Sequence, residues 1–205
     1  DNSVAVTTDG NATVSVMSGN KKEFVDVHHV DHWSEKSVDF VHILGLMNGT
    51  SENHFSPDVD LTRAMLVTVL YRAEGEPEMK NAQWFEDVEK GQWYSDAVAW
   101  ATFNGITMGY GNGNFGPDDN ITREQIAAIM HRYAQYKGFD VTQGGMLVRE
   151  YNDYEAISDY ALSSMTWAVN AGLLKGKGNN NLAPQDNATR AEIAAILHRF
   201  IEANK

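Results

Sequence analysis

The sequence predicts a mainly α-helical protein built from three helix–loop–helix repeats that pack as one body. Three observations predict it. First, ITREQIAAIMHRY at Ile121–Tyr133 recurs as LTRAMLVTVLYRA at Leu61–Ala73 and as ATRAEIAAILHRF at Ala188–Phe200. Second, the punctuation before each copy returns in register. FSPDV (Phe55–Val59), FGPDD (Phe115–Asp119) and LAPQD (Leu182–Asp186) follow Gly49, Gly109 and Gly176, which follow Gly45, Gly105 and Gly172. Third, apolar residues behind each copy's threonine recur at helical spacing: Ile126, Ile129, Met130 and Tyr133, then Ile193, Ile196, Leu197 and Phe200. One helix pair cannot bury its own apolar face, so repeats of this length share a core with their neighbours. Arg63 and Arg123 are 60 positions apart, and Arg123 and Arg190 are 67 apart. The extra residues fall before the third copy.

Taken in order, residues 1–20 differ in kind. Val4 and Val6, then Asp9–Gly10, then Val14 and Val16 alternate like short strands around a tight turn. A lone hairpin is marginal in water. This short N-terminal β segment is therefore expected to be the remnant of, or a linker from, an upstream domain, or an edge docked on the first repeat. The first repeat, 21–75, opens at Phe24-Val25-Asp26-Val27. The second, 82–137, opens at Phe85-Glu86-Asp87-Val88. The third, 148–205, opens at Tyr151-Asn152-Asp153-Tyr154, a weaker match. Polar connectors bearing glycine and proline, Ala73–Gln83 and the segment around Gly138–Gly145, separate the copies.

Within each copy the first helix carries an aromatic, Phe40, Trp100 or Trp167, five residues before the glycine that ends it. In the second copy this helix is expected at Tyr94–Asn104. Pro57, Pro117 and Pro184 then sit five residues before Thr62, Thr122 and Thr189, rigidifying the approach without breaking the second helix. The threonines are N-caps. Gln125 and Glu192 complete capping boxes, and Met65 leaves the first copy with a cap alone.

Composition narrows the function. The formal net charge is −12 across 205 residues, which argues against nucleic acid and anionic membrane surfaces, since both need a basic field. There is no cysteine, hence no disulfide and no thiolate chemistry. No apolar run approaches the length of a membrane span. The chain opens at Asp1 without a signal peptide and is expected to be a fragment or processed product.

Each copy resembles an S-layer homology repeat: Phe-x-Asp, an aromatic-bearing first helix, a glycine-rich loop, Phe-x-Pro-Asp, then Thr-Arg-Ala-Glu. The second copy matches most closely, at Gly91–Glu124. The resemblance covers about residues 21–205. It implies a pseudo-threefold helical body with grooves between lobes and a place on the surface or wall of a Gram-positive-type bacterium. It also implies non-covalent anchoring of an exported polypeptide to a secondary cell wall polysaccharide bearing pyruvate ketals on amino sugars. The third copy departs from the pattern at Leu182 and Gln185, and the first at Met65, so the three grooves need not bind equally.

The family's key arginine maps to Arg63, Arg123 and Arg190. Each follows an N-cap, where free helix-start amides and the helix dipole favour an anion. A guanidinium adds a fork suited to a carboxylate, such as that of a pyruvate ketal. The competing structural role is an ion pair with an acid such as Asp58 or Asp118. The cap does not need the side chain, so its removal is expected to leave the fold intact. The loops carry Gly49, Gly109-Tyr110-Gly111 and Gly176-Lys177. Glycine there lets backbone approach a sugar, or simply turns the chain, and Lys177 adds a cation. Trp93, beside a helix start, is expected to wall a groove; Trp100 and Trp167 are expected in the core. Asp26 and Asp87 are candidates to accept sugar hydroxyls, their commoner role being to cap a turn.

No enzyme is read here. Adjacent Asp118 and Asp119 cannot flank a glycosidic bond. No metal or other cofactor is assigned: His28, His29 and His32 lie in a polar stretch and are expected at the surface, and Asn112–Asn120 lacks the spacing of a calcium loop. Two other functions share the pattern: a self-assembling surface-lattice module, and a module that binds peptidoglycan.

Overall fold

The computed structural model describes residues 22–79, 84–142 and 144–204, and the backbone of 4–8 and 12–16. The turn expected at Asp9–Gly10 and residues 80–83 of the first connector lie outside the described residues. Strands β1 (Val4–Thr8) and β2 (Ala12–Val16) pair antiparallel. Among the described residues the other regular elements are helices: α1 (Val25–His28), α2 (Glu35–Ile43), α3 (Arg63–Ala73), α4 (Ser95–Phe103), α5 (Arg123–Tyr136), α6 (Leu162–Asn170) and α7 (Arg190–Ala203). Three short 3-10 turns lie between 147 and 161. No described helix is long and apolar enough to cross a membrane.

The helix boundaries follow their caps. Thr62, Thr122 and Thr189 are extended and accept from the amides of Met65, Gln125 and Glu192. The reciprocal half of the box is present in α5, where Gln125 accepts from the Thr122 amide, while α7 shows the threonine half. Tyr94 and Asn104 flank α4 as its caps rather than lying inside it. The expected terminating glycines, Gly45, Gly105 and Gly172, have φ of 69–70°, the left-handed conformation of a C′ residue.

The chain forms two compact units, residues 1–59 with 189–205, and residues 60–188. In the second unit α3 packs on α4 and α5 on α6; in the first, α2 packs on α7. Packing partners are thus offset from the repeats. The second helix of one copy meets the first helix of the next, and that of the third copy meets the first helix of the first. The same aromatic joint marks all three pairs: Tyr71 with Trp100 at 5.7 Å, His131 with Trp167 at 5.2 Å, and His198 with Phe40 at 4.1 Å between ring centroids. Ile126, Ile129, Ile193 and Ile196 are buried, as are Trp100 and Trp167.

Within residues 60–188 the segments leading into the three second helices join in a ring. The Leu61 amide donates to the Ala188 carbonyl, Ala188 to Ile121, and Ile121 to Leu61, each at 2.9–3.0 Å. Beside the ring, the Asp60 carboxylate accepts from the side-chain amides of Asn120 (3.0 Å) and Asn187 (2.8 Å), its counterparts in the other copies. One acid among three equivalent positions lets the two amides converge without like-charge repulsion.

Candidate functional site

The joints between copies are built on a clamped turn. Asp26 accepts from the amides of Phe55 (2.9 Å) and Ser56 (2.7 Å), one through each carboxylate oxygen. Asp87 does the same for Phe115 and Gly116, and Asp153 for Leu182 and Ala183. The second residue of each turn is left-handed: φ is 59° at Ser56, 73° at Gly116 and 50° at Ala183. A non-glycine residue resists this conformation, so the two charge-assisted bonds of the aspartate hold it in place. These aspartates therefore act as turn caps, and both oxygens of Asp26 and Asp87 are occupied.

Each clamped turn meets the second helix of another copy. The first-turn amides of Arg63 and Ala64 donate to the carbonyls of Asp119 and Pro117; Arg123 and Glu124 donate to Asp186 and Pro184; Arg190 and Ala191 donate to Val59 and Pro57. The helix starts were expected to offer free amides to an anion. They do not, because a neighbouring turn satisfies them. The arginines extend the same joint. Nε of Arg63, Arg123 and Arg190 donates to the carbonyls of Phe115 (2.8 Å), Leu182 (2.8 Å) and Phe55 (2.9 Å). Their relative exposures are 4%, 3% and 8%, so they belong to the interior. The expectation that removing such a side chain leaves the fold intact is corrected: truncation would leave a buried carbonyl unsatisfied in the neighbouring copy.

Arg63 and Arg190 have no carboxylate within ion-pair distance among the described residues. Burial lowers the pKa of both guanidiniums, partly opposed by Tyr110 and Asp119 at Arg63 and by Asp26 at Arg190. Aromatic faces partly replace the missing anion. The Arg63 guanidinium lies 4.4 Å from the Tyr110 ring centre and 4.9 Å from that of Phe115, and Arg190 lies 4.6 Å from Phe55. Leu182 gives Arg123 the carbonyl without a ring.

The loop glycines have a packing role. A Cβ at Gly49 would fall 2.6 Å from Phe24, at Gly109 2.5 Å from Phe85, and at Gly176 2.9 Å from Tyr151. These loops lie tight against the aromatic that opens their own copy. Gly111 has open space around it. Tyr110 is partly exposed and donates to Asp119 at 2.8 Å. Burial, then this bond, raises its pKa. Lys177 is at the surface, 3.5 Å from Asp186.

Trp93 is 58% exposed and lines a groove of about 470 Å³ with Thr68, Tyr71, Arg72, Glu78 and Asp96. The groove lies along the later turns of α3 and includes neither Arg63 nor the 109–111 loop. The structure thus separates the expected groove wall from the expected cation. His28 differs from its expected surface position: its ring lies 2.8 Å from Asp39 and bonds the Phe24 backbone, tying α1 to α2.

Sequence reasoning missed one further cluster. Glu124 is 2% exposed and accepts from the Ser158 amide, the Ser158 hydroxyl and the Tyr160 hydroxyl, at 2.8–3.0 Å. Burial and this bond raise the Tyr160 pKa. The signal available was Glu124 itself, an acid where the other copies carry Ala64 and Ala191.

The aspartate, proline, threonine and arginine that build this joint recur in all three copies. The S-layer homology domain matches residues 23–64, 85–127 and 150–194, and the chain belongs to this family. It is similar to an amylopullulanase of Thermoanaerobacterium thermosulfurigenes, 31% identical over 185 residues, which cover 88% of this chain and 10% of the relative. It is also similar to the surface-layer 125 kDa protein of Lysinibacillus sphaericus, 28% identical over 93% of this chain and 16% of that protein. The S-layer protein sap of Bacillus anthracis is 28% identical over 90% and 22%, respectively. The chain therefore spans between a tenth and about a fifth of these relatives. Its repeats form a cell-surface anchoring module, non-catalytic in itself, of a family whose domains bind cell-wall polymers.

Proposed function

We propose that this module holds a longer polypeptide to the bacterial wall by binding a secondary cell wall polysaccharide. The group recognised is the carboxylate of a pyruvylated amino sugar, taken up where an arginine of one copy meets the loop of the next. One observation carries the reading. Arg63 and Arg190 are buried cations without a carboxylate partner among the described residues, in a chain whose net charge is −12. A buried charge is costly unless paired, and an external anion supplies the missing partner. The glycine loops border the same joints, and exposed Trp93 offers a separate stacking surface for a polymer long enough to reach it. The repeat boundaries 21–75, 82–137 and 148–205 are the units of this proposal, with residues 1–20 leading from an upstream domain.

A pull-down on purified wall sacculi tests it, before and after chemical removal of the wall polysaccharide. The expected outcome is binding that disappears with the polysaccharide. Retained binding would assign the module to peptidoglycan. Light scattering that rises with protein concentration in the absence of wall would assign it to self-assembly.

A further inference from the structure

The first copy carries a set of donor groups that the other two lack. His28 ends α1, and Glu35 and Asp39 stand four residues apart on one face of α2. One donor atom from each, an imidazole nitrogen and two carboxylate oxygens, lie within 4.8 Å of one another. The equivalent positions hold Glu89, Ser95 and Ala99 in the second copy and Glu155, Leu162 and Thr166 in the third. Sequence position groups His28 with His29 and His32, but the fold separates them. The side chain of His29 is 58% exposed and lies 3.7 Å from Glu23, and His32 bonds Ser34.

Holding α1 against α2 does not need these three groups. In the second copy the positions of His28 and Glu35 are joined by one neutral bond, from the Ser95 hydroxyl to the Glu89 carbonyl at 2.6 Å. In the first copy two carboxylates share a helix face, where like charges repel. The imidazole that meets them is an interior group: the His28 side chain is 6% exposed, with Nε2 2.8 Å from Asp39. Its other nitrogen, Nδ1, lies 3.0 Å from the Phe24 carbonyl and 2.9 Å from the Phe24 amide. The Phe24 backbone thus accommodates both ring states without moving the ring. With Nδ1 accepting from the amide, Nε2–H donates to Asp39. With Nδ1–H donating to the carbonyl, Nε2 turns a lone pair toward the carboxylates, an arrangement that is repulsive until a cation lies between them. Metal-bound histidines hold their second nitrogen in this way, on a backbone carbonyl or a carboxylate.

We infer that His28, Glu35 and Asp39 form a binding site for a divalent transition-metal ion of the zinc type, which fastens α1 to α2. Zinc accepts imidazole and carboxylate ligands, and its open sites combine three protein ligands with a water. Calcium and magnesium take oxygen ligands instead. Zinc sits about 2.0–2.2 Å from each donor, so the carboxylates close slightly around it, and the stem of Glu35 is long enough to do so. The consequence for the fold runs through Asp26, two residues before His28. Its carboxylate clamps the Phe55–Ser56 turn, and that turn gives its carbonyl to Arg190. An ion that fixes α1 therefore stiffens the joint between the first copy and the third.

Calorimetric titration of the chelator-stripped full chain with zinc chloride tests this, with calcium chloride for comparison. A single zinc ion per chain is expected, with no comparable heat from calcium. Tm should rise with zinc, because the ion binds the folded form. Glu35→Gln and Asp39→Asn, which keep shape and remove charge, should each weaken zinc by more than roughly 10-fold. His29→Gln should bind zinc like wild type. Nitrogen NMR of the imidazoles should show the His28 Nε2 signal moving with zinc while those of His32 and His54 stay in place. The two carboxylate variants are read independently, so one that fails to fold leaves the other to decide. A chain that neither binds zinc nor gains Tm would overturn the site. So would wild-type zinc affinity in both carboxylate variants, an equal loss in His29→Gln, or a zinc-dependent shift at another histidine instead of His28. Calcium binding as tight as zinc would overturn the role of the imidazole.

Discussion

Asp87 shows at the scale of one residue how much a short motif can do. Its two oxygens hold the amides of Phe115 and Gly116, and that turn supplies the carbonyl that Arg63 uses. Asp87→Ala should cost about 2–4 kcal/mol, read by urea denaturation, because two amides lose charge-assisted bonds. In the same turn, Gly116→Ala should destabilise, since its Cβ would meet Asp119 and Tyr110. Ala183→Gly should stabilise by up to about 1 kcal/mol by relieving a left-handed alanine. An Ala183→Gly variant that melts below wild type would show that this turn carries no strain. The aspartate's role as a turn cap was legible in the sequence. Its partners were not, because they lie 28 to 30 residues away. For the arginines the position was legible but the burial was not. Nothing local says that the carbonyl they bond belongs to another copy.

At the scale of the element, period and caps fixed the second helices well, because each threonine cap is a local event read from adjacent residues. The helix pairing was not legible. Both faces offered inside one copy look alike in sequence, and the aromatic joint forms across copies. That joint is expected to give the α5–α6 pair a pH-dependent stability. His131 packs edge-on against Trp167, and burial, then the charge of Arg132, lowers its pKa from the ordinary 6.5. Between the lowered value and 6.5 the unfolded chain binds more protons than the folded one. The contribution is therefore fully present above pH 6.5 and lost as pH falls through the folded value. The urea midpoint should drop from pH 7.5 to pH 5, and it should drop less in His131→Phe. An identical drop in that variant would place the sensitivity elsewhere.

At the scale of the whole chain, three repeats were evident from their register. The offset of packing against repeat was hidden, because self-similarity shows which segments are alike and not which of them touch. The offset governs what a truncation does. Removing everything from Tyr151 takes α6 from α5 and α7 from α2, uncovering Val38, Phe40, Val41, Ile126 and Ile129. Single large-to-small core changes already cost roughly 2–5 kcal/mol, and here several contacts vanish together. The truncated chain should bind a hydrophobic dye and lose its sharp melting transition. A cooperative transition near the full-length Tm would show that the repeats stand alone.

The pairing of α2 with α7 carries a kinetic consequence. These helices lie about 150 residues apart, so their contact closes a loop spanning most of the chain, against a chain entropy that grows with the logarithm of loop length. In a chain emerging N-terminus first, α2 exists long before its partner, and Val38, Phe40 and Val41 wait in water until α7 arrives. The third copy, made after the other two, is what completes the first, and each polypeptide remains adhesive to others until that moment.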